Sequence, residues 1–266
     1  MKRLIYQVCL GQQRNSLLYE ECLKSVQRYC IEHDIVHIVQ TQPIIKIKPD
    51  VFATDRSKES YEKHGGYLPI YEKENAFDYM HKFDQIAIID ADIFIRDGSP
   101  NIFDDFGTDH AWGSVLECEM PITDQYAQKI KQYSRMQYMP LAVKQNLKIT
   151  RNEFGYAFYN MGMIVINSEN FKPYLSAQTA KEFIARAEFK DFVDGVGPWK
   201  WSTDQTLLNY FLVKYKVPVK NLSWKYNALY KGVKDECIPE AHFIHFFLKD
   251  KLPSGGENVQ ELMRNI

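Results

Sequence analysis

Short apolar runs rich in β-branched residues recur along this chain, separated by amphipathic stretches and polar loops, and together the two periods predict an α/β fold. Leu4–Leu10 (LIYQVCL) reads as a first buried strand. Ser16–Glu32 then places Leu18, Cys22, Val26, Tyr29 and Cys30 at helical spacing, the stripe of a helix laid on a sheet. Ile35–Gln40 follows as a second strand. A β-α-β opening of this kind implies right-handed crossovers and a central, mostly parallel sheet flanked by helices. Ile86–Ile89 is apolar without interruption, as strands covered on both faces are, and a second apolar triplet, Ile93-Phe94-Ile95, comes just after it. Further strands are expected at Ala111–Leu116, at Phe158–Asn167 beyond Asn160, and at Ala241–Leu248, the last as a strand or a loop.

Helical spacing recurs at Tyr67–Phe83, with Tyr71, Ala76, Tyr79 and Met80 on one side, and at Ala177–Ala187 and Asp204–Val213. Ser202 and Gln205 stand in capping-box spacing, which places Asp204 in the first turn of the last of these. Thr41–Gly66 is a long polar connection, and in a compact domain such connections are often functional. Pro121–Leu147 is a mixed insertion carrying Lys129, Lys131, Arg135, Tyr133 and Tyr138, read as a solvated helix face or as a binding lip. With no internal repeat and no linker rich in Gly, Pro or Ser, residues 1–252 are expected to form one domain. Residues 253–266 are expected to be a Gly-containing turn and a polar tail.

Composition narrows the function classes. Across 266 residues, 33 basic side chains face 34 acidic ones, so no excess of positive charge argues for a nucleic-acid partner. Five scattered cysteines without C-x-x-C spacing suit a reducing, cytoplasmic setting rather than a disulfide framework or a zinc site. No apolar run is long enough for a transmembrane segment, and Met1-Lys2-Arg3-Leu4 leads straight into a strand, so no cleavable signal is expected. Aromatic content of 14% would serve a core or a sugar-binding surface equally.

The candidate chemistry starts at Asp90-Ala91-Asp92, between the two apolar runs. In an extended chain both carboxylates point to one side, and burying them requires positive charge nearby. Hard oxygen ligands at the carboxyl end of a sheet would seat Mg2+ or Mn2+ and the phosphates it carries. The plainer account is a pair of solvated turn aspartates. After the first strand only Gly11 is present, so neither a Rossmann dinucleotide loop nor a P-loop is expected.

Four stretches together, IIDADIFI at Ile88–Ile95, FYNMGMIVIN at Phe158–Asn167, STDQTLLNYF at Ser202–Phe211 and HFFLKDK at His245–Lys251, resemble the retaining glycosyltransferases of family 8, the glycogenin and bacterial galactosyltransferase group. The resemblance spans about Arg3–Leu252 and implies a GT-A fold and transfer of a sugar from a nucleotide-sugar donor, most often a UDP-sugar, to a glycan or other hydroxyl acceptor. It implies Asp90, Asp92 and His245 as ligands of Mn2+ or Mg2+, and Lys251, six residues past that histidine, on the diphosphate. It assigns Asn160, Asp204 and Gln205 to the sugar side, with Asp204 or Gln205 on the reactive face, and Lys73 to the donor. Leu10, Gln12 and Tyr19 are loose candidates for the base.

The chain also departs from the pattern, with Leu248 and Leu252 where the family has Gly and Pro, and no Trp following. Each residue has a plainer reading as well. His245 would be a core histidine with His242 as competing ligand, Asp204 a helix-start charge, and Asn160 a turn residue. Trp199 and Trp201 would be core aromatics rather than an acceptor platform. The rival classes are a sugar nucleotidyltransferase, which wants a glycine-rich basic loop after the first strand, an Asp-x-Asp phosphatase, and a non-catalytic sugar-binding protein on the same fold.

Overall fold

A computed structural model of the chain describes residues 1–51, 55–176, 179–248, 251–256, 258–264 and 266, without the side chains of 12, 55–57 and 253. In chain order the strands are β1 (Arg3–Val8), β2 (Val36–Gln40), β3 (Gln85–Ile89), β4 (Ile93–Ile95), β5 (Trp112–Leu116), β6 (Arg151–Asn152), β7 (Gly155–Tyr156), β8 (Tyr159–Asn167), β9 (Val219–Asn221), β10 (Ala228–Leu229) and β11 (Phe243–His245). Six of them form the central sheet in the order β2-β1-β3-β8-β5-β9, and β10-β11-β4 form a second, smaller sheet. In the central sheet β1 pairs in parallel with β2 and β3, and β5 with β9, while β8 runs antiparallel between β3 and β5. The expected α/β class and mostly parallel sheet are therefore present, with one reversed strand in the middle.

The sequence explains the layering. β3 is buried at every position, and Leu17–Glu32 buries the face made by Leu18, Cys22, Val26, Tyr29 and Cys30. Aromatic side chains fill the core on the other side. The rings of Phe77, Phe171, Phe183 and Phe211 meet edge to face at centroid distances of 5.0–6.0 Å. Much of the aromatic content is thus structural. The five cysteines are all free, and among the described residues no helix is long and apolar enough to cross a membrane.

Three element expectations change. Tyr67–Phe83 is not one α-helix but two short 3-10 segments, Pro69–Tyr71 and Lys73–Tyr79. The break falls at Glu72. Its fully buried carboxylate accepts from the backbone N–H of Ile44 (2.7 Å), Ile45 (3.1 Å) and Lys46 (2.7 Å) and from Gln40 Nε2 (2.8 Å). The anion thereby ties down the long connection, which itself carries a helix at Asp55–His64. Ala177–Ala187 narrows to a helix at Ala180–Ile184, its first two positions lying outside the described residues, while Ser168–Leu175 is a helix the periodicity did not mark. Pro253–Ile266 contains a helix at Val259–Arg264 whose Leu262 is buried.

Glu72→Gln is expected to cost about 1–3 kcal/mol, because an amide N–H would face backbone donors that then lose their acceptor. Urea denaturation of the variant measures this, and an unchanged midpoint would refute it.

Candidate functional site

The smaller sheet brings distant residues together. β4 begins one residue after Asp92 and pairs antiparallel with β11, so that His245 stands opposite Ile93. The Phe246 N–H donates to the Asp92 carbonyl at 2.9 Å and clamps the same junction. His245 Nε2 thereby lies 3.3 Å from Asp92 Oδ1 and 3.8 Å from Asp90 Oδ2. The two carboxylates do not converge by strand alternation, as the extended reading expected. Asp90 to Asp92 form a turn closed by the Ile93 N–H donating to the Asp90 carbonyl (3.1 Å), and the Asp90 N–H donates to Gly162 of β8 (2.8 Å).

These residues fit a divalent cation. One ligand atom from each of Asp90, Asp92 and His245 lies within 4.8 Å of the others, the one such cluster among the described residues. Adjacent ligands of an octahedral ion with bonds of about 2.1 Å stand roughly 3 Å apart, close to the 3.3 Å between Asp92 and His245. His242, the competing histidine, is not in the cluster. Burial pulls the His245 imidazole down, but the Asp92 and Asp90 carboxylates more than reverse this and raise its pKa. Two anions facing a buried nitrogen make a place where positive charge is favoured.

Lys73 joins this centre to the sugar-side residues. Its ammonium sits 2.6 Å from Asp204 Oδ2 and 3.3 Å from Asp90 Oδ1, and donates to the Met161 carbonyl at 2.7 Å. Burial would lower its pKa, and Asp204 and Asp90 outweigh that and hold it well above the usual lysine range. Asp90 goes the other way from an ordinary surface carboxylate. Burial raises it, Lys73 and His245 pull it back, and Asp92 and Asp204 push it up again. Next along the chain, buried Glu74 is raised well above the carboxylate range by burial and by the charge of Asp204.

Asp204 begins the helix Asp204–Lys214, as expected, but the cap is Thr203 with Thr206 rather than Ser202 with Gln205. Gln205 is instead turned to the strand, where its Oε1 accepts from the Met161 N–H at 3.2 Å. That N–H is free because the β5–β8 register jumps. Ser114 pairs with Ile164 while Val115 pairs with Asn160, leaving a bulge beside the site. Gly162 sits in the bulge for a steric reason. A Cβ there would lie 2.3 Å from His245 Cε1 and 3.0 Å from Asn160 Oδ1.

Lys73, Asp90, Asp92, Asn160, Asp204, Gln205 and His245 all line one cavity of about 300 Å³. Lys251 does not. It lines a separate cavity with Thr123, Lys231 and Lys234, and its ammonium donates to Gln125 at 3.2 Å. Leu248, where the family pattern has glycine, is buried. Leu10 is half-buried at the end of β1 and does not line the cavity, Tyr19 is buried beside Cys9 and Ala91, and the side chain of Gln12 lies outside the described residues. Trp199 is buried against Phe192, and Trp201 is half-exposed away from the cavity lining.

Sequence reasoning missed Glu117, Tyr126 and Gln137, which also line the cavity. Glu117 follows β5 directly, a carboxylate at a strand end as Asp90 is, and that position was its only signal. It accepts from Asn160 Nδ2 (2.6 Å) and the Tyr126 hydroxyl (3.1 Å), and burial raises its pKa against those two bonds. Tyr133 and Gln137 reach the cavity from the insertion, where the helix Asp124–Tyr133 passes into a π-helical turn at Ser134–Tyr138. The insertion therefore forms a wall of the site.

No protein-family model and no curated protein sequence matches the chain. Solved structures match it as folds. A glycosyltransferase involved in the glycosylation of the major capsid of PBCV-1 superposes with a TM-score of 0.55 at 9% identity, over 99% of this chain and 100% of that one. The galactosyltransferase LgtC, in complex with donor and acceptor sugar analogues, gives 0.52 at 13% identity, over 98% and 94%. The glycosyltransferase GlyE of Streptococcus pneumoniae TIGR4 gives 0.50 at 16%, over 94% of this chain and 56% of that one. The chain thus has the fold on which these glycosyltransferases are built, the GT-A fold that its resemblance to family 8 implies.

Proposed function

We propose that this protein is a metal-dependent glycosyltransferase that moves a sugar from a nucleotide-sugar donor, a UDP-sugar first among them, to an acceptor hydroxyl with retention. The observation that carries the reading is the convergence of Asp90, Asp92 and His245 on one cavity shared with Lys73, Asn160, Asp204 and Gln205. Bound Mn2+ or Mg2+ would supply Lewis-acid neutralisation of the charge that grows on the departing diphosphate. Asp90, Asp92 and His245 would hold it.

The remaining residues bind and orient. Asp204, tied to Lys73 at 2.6 Å, keeps its negative charge compensated and is placed to accept from a sugar hydroxyl. Gln205 has its amide oxygen fixed on the Met161 N–H and its NH2 group beside the Tyr138 hydroxyl, which leaves one N–H to donate. Asn160 spends its oxygen and one N–H on the protein and keeps a second N–H for the donor. Lys251, which lines a separate cavity, is the reserve cation for the diphosphate. Retention rests on the family resemblance alone.

A panel of nucleotide sugars tests the proposal by thermal stabilisation with and without Mn2+. A preferred donor at 100 times its Kd adds about 2.7 kcal/mol of stability by mass action. The expected result is a melting point raised by a UDP-sugar only when the metal is present, with slow metal-dependent hydrolysis of that donor. No stabilisation by any nucleotide sugar would overturn it. Stabilisation without hydrolysis or transfer would instead favour a sugar-binding protein.

A further inference from the structure

From the hydrogen-bond geometry behind the cluster we infer that Asn227 is a positioning residue, one that fixes the tautomer of His245 so that Nε2 presents its lone pair to the cation; this rests on the metal site proposed above. The Gly162 N–H, which can only donate, lies 2.9 Å from one atom of the Asn160 amide, so that atom is Oδ1. Asn160 then turns Nδ2 to Glu117 Oε1 at 2.6 Å, where a carboxylate accepts. Asn160 Oδ1 is also approached at 2.8 Å by the amide of Asn227, and the group that meets an oxygen acceptor must be Nδ2. Asn227 consequently turns Oδ1 to the His245 ring, 3.0 Å from Nδ1. Nδ1 therefore carries the hydrogen.

Each amide in this chain is oriented by its neighbour, and the sense of the whole is set by one backbone donor. It runs one way, from His245 through Asn227 and Asn160 to Glu117, whose other oxygen takes the Tyr126 hydroxyl. All four side chains are buried, Asn227 completely, so water does not compete for these bonds. In the neutral ring Nε2 is left bare, facing the carboxylates of Asp92 and Asp90. A lone pair aimed at two anions is repulsive unless a proton or a metal cation lies between them, and the cation is the arrangement metal-bound histidines use when their second nitrogen is held by a hydrogen bond. The absence of a Cβ at Gly162 lets the ring approach the strand closely and completes the lock.

Nothing in the local sequence marks Asn227. It precedes β10, where Ala228 pairs with Ile244 and Leu229 with His245, so its amide reaches the His245 ring from two residues before the position opposite it.

The test uses the full chain and two readouts. Nitrogen-15 NMR of ring-labelled, metal-free protein, at a pH where the ring is neutral, reports the tautomer; the His245 signals are assigned by their loss in His245→Gln. Calorimetry with Mn2+ alone reports cation affinity for the parent and for Asn227→Ala. The expected results are Nδ1–H in the parent, a mixture of tautomers in Asn227→Ala, and a loss of Mn2+ affinity of about 10–100-fold, the usual scale for removing such a partner. An Nε2–H ring in the parent would overturn the inference, as would equal Mn2+ affinity in the folded variant. A parent that binds no Mn2+ would overturn the metal site instead, and the tautomer spectrum alone would then decide the role of Asn227.

Discussion

Asp92→Asn is expected to abolish the Mn2+-dependent part of nucleoside-diphosphate binding while leaving the protein folded. Asp92 gives the cluster its closest contact, Oδ1 at 3.3 Å from His245 Nε2. Its backbone carbonyl is held independently by the Phe246 N–H, so the turn between β3 and β4 does not depend on the carboxylate. Asparagine has nearly the same shape, and its substitution removes one negative charge and one hard ligand from a three-residue set. Removing partners that only support a ligand costs 10–100-fold in metal affinity, so removing a ligand is expected to cost at least about 100-fold. Calorimetric titration with UDP, with and without Mn2+, checks this. The parent should bind UDP more tightly with Mn2+, and the variant should show no difference. An undiminished Mn2+ effect in Asp92→Asn would remove the physical basis of the metal site.

What the sequence made legible is what short-range periodicity encodes. The apolar run at Ile86–Ile89 is a buried strand, the stripe from Leu18 to Cys30 is a helix face, and Asp204 does open a helix. The site was legible as far as its residues end or follow such elements, which is why Asp90, Asp92, Asn160, Asp204 and His245 all reach one cavity.

What was not legible depends on partners far along the chain. Glu72 breaks an otherwise helical pattern because three amides near residue 45 take up its charge, and no local rule anticipates them. Asn227 and Glu117 matter through side-chain bonds spanning 18 and 43 residues. The Ser202 and Gln205 spacing suggested a capping box one residue too early, because Gln205 finds a better use on the bulged strand, where an unpaired N–H awaits it. Lys251 has the expected spacing from His245 yet lies in another cavity, since spacing fixes only contour length once β11 ends.

Lys73→Met should produce the largest loss of stability, and its pH dependence identifies the cause. The methionine keeps the length and apolar stem of the side chain but not the charge. In the parent the Lys73 ammonium meets Asp204 at 2.6 Å, Asp90 at 3.3 Å and the Met161 carbonyl at 2.7 Å, with Lys73 and Asp204 largely buried and Asp90 partly exposed to the cavity. Removing one partner of a buried pair typically costs 3–5 kcal/mol, because the remaining charge is left uncompensated. For a chain of this size that corresponds to a fall in melting point on the order of 10 °C.

The sign of the pH effect follows from the carboxyls that remain. Asp90 and Glu74 already have raised pKa values from burial, with Lys73 acting to lower them. Without the ammonium they rise further, so the folded variant holds protons that the unfolded chain has released. Stability then falls as pH rises wherever the folded state binds more protons. The deficit of Lys73→Met should therefore be greatest at neutral and alkaline pH. It should shrink as pH falls through the raised carboxyl values toward the ordinary value of about 4. Lys73 itself adds no competing trend there, since its own pKa is raised and its contribution is lost only at strongly alkaline pH. Denaturant unfolding of parent and variant at pH 8 and pH 5, with a chelator present, measures both effects. A deficit equal at the two pH values would show that lost packing, not an unpaired cluster of acids, is what the lysine prevents.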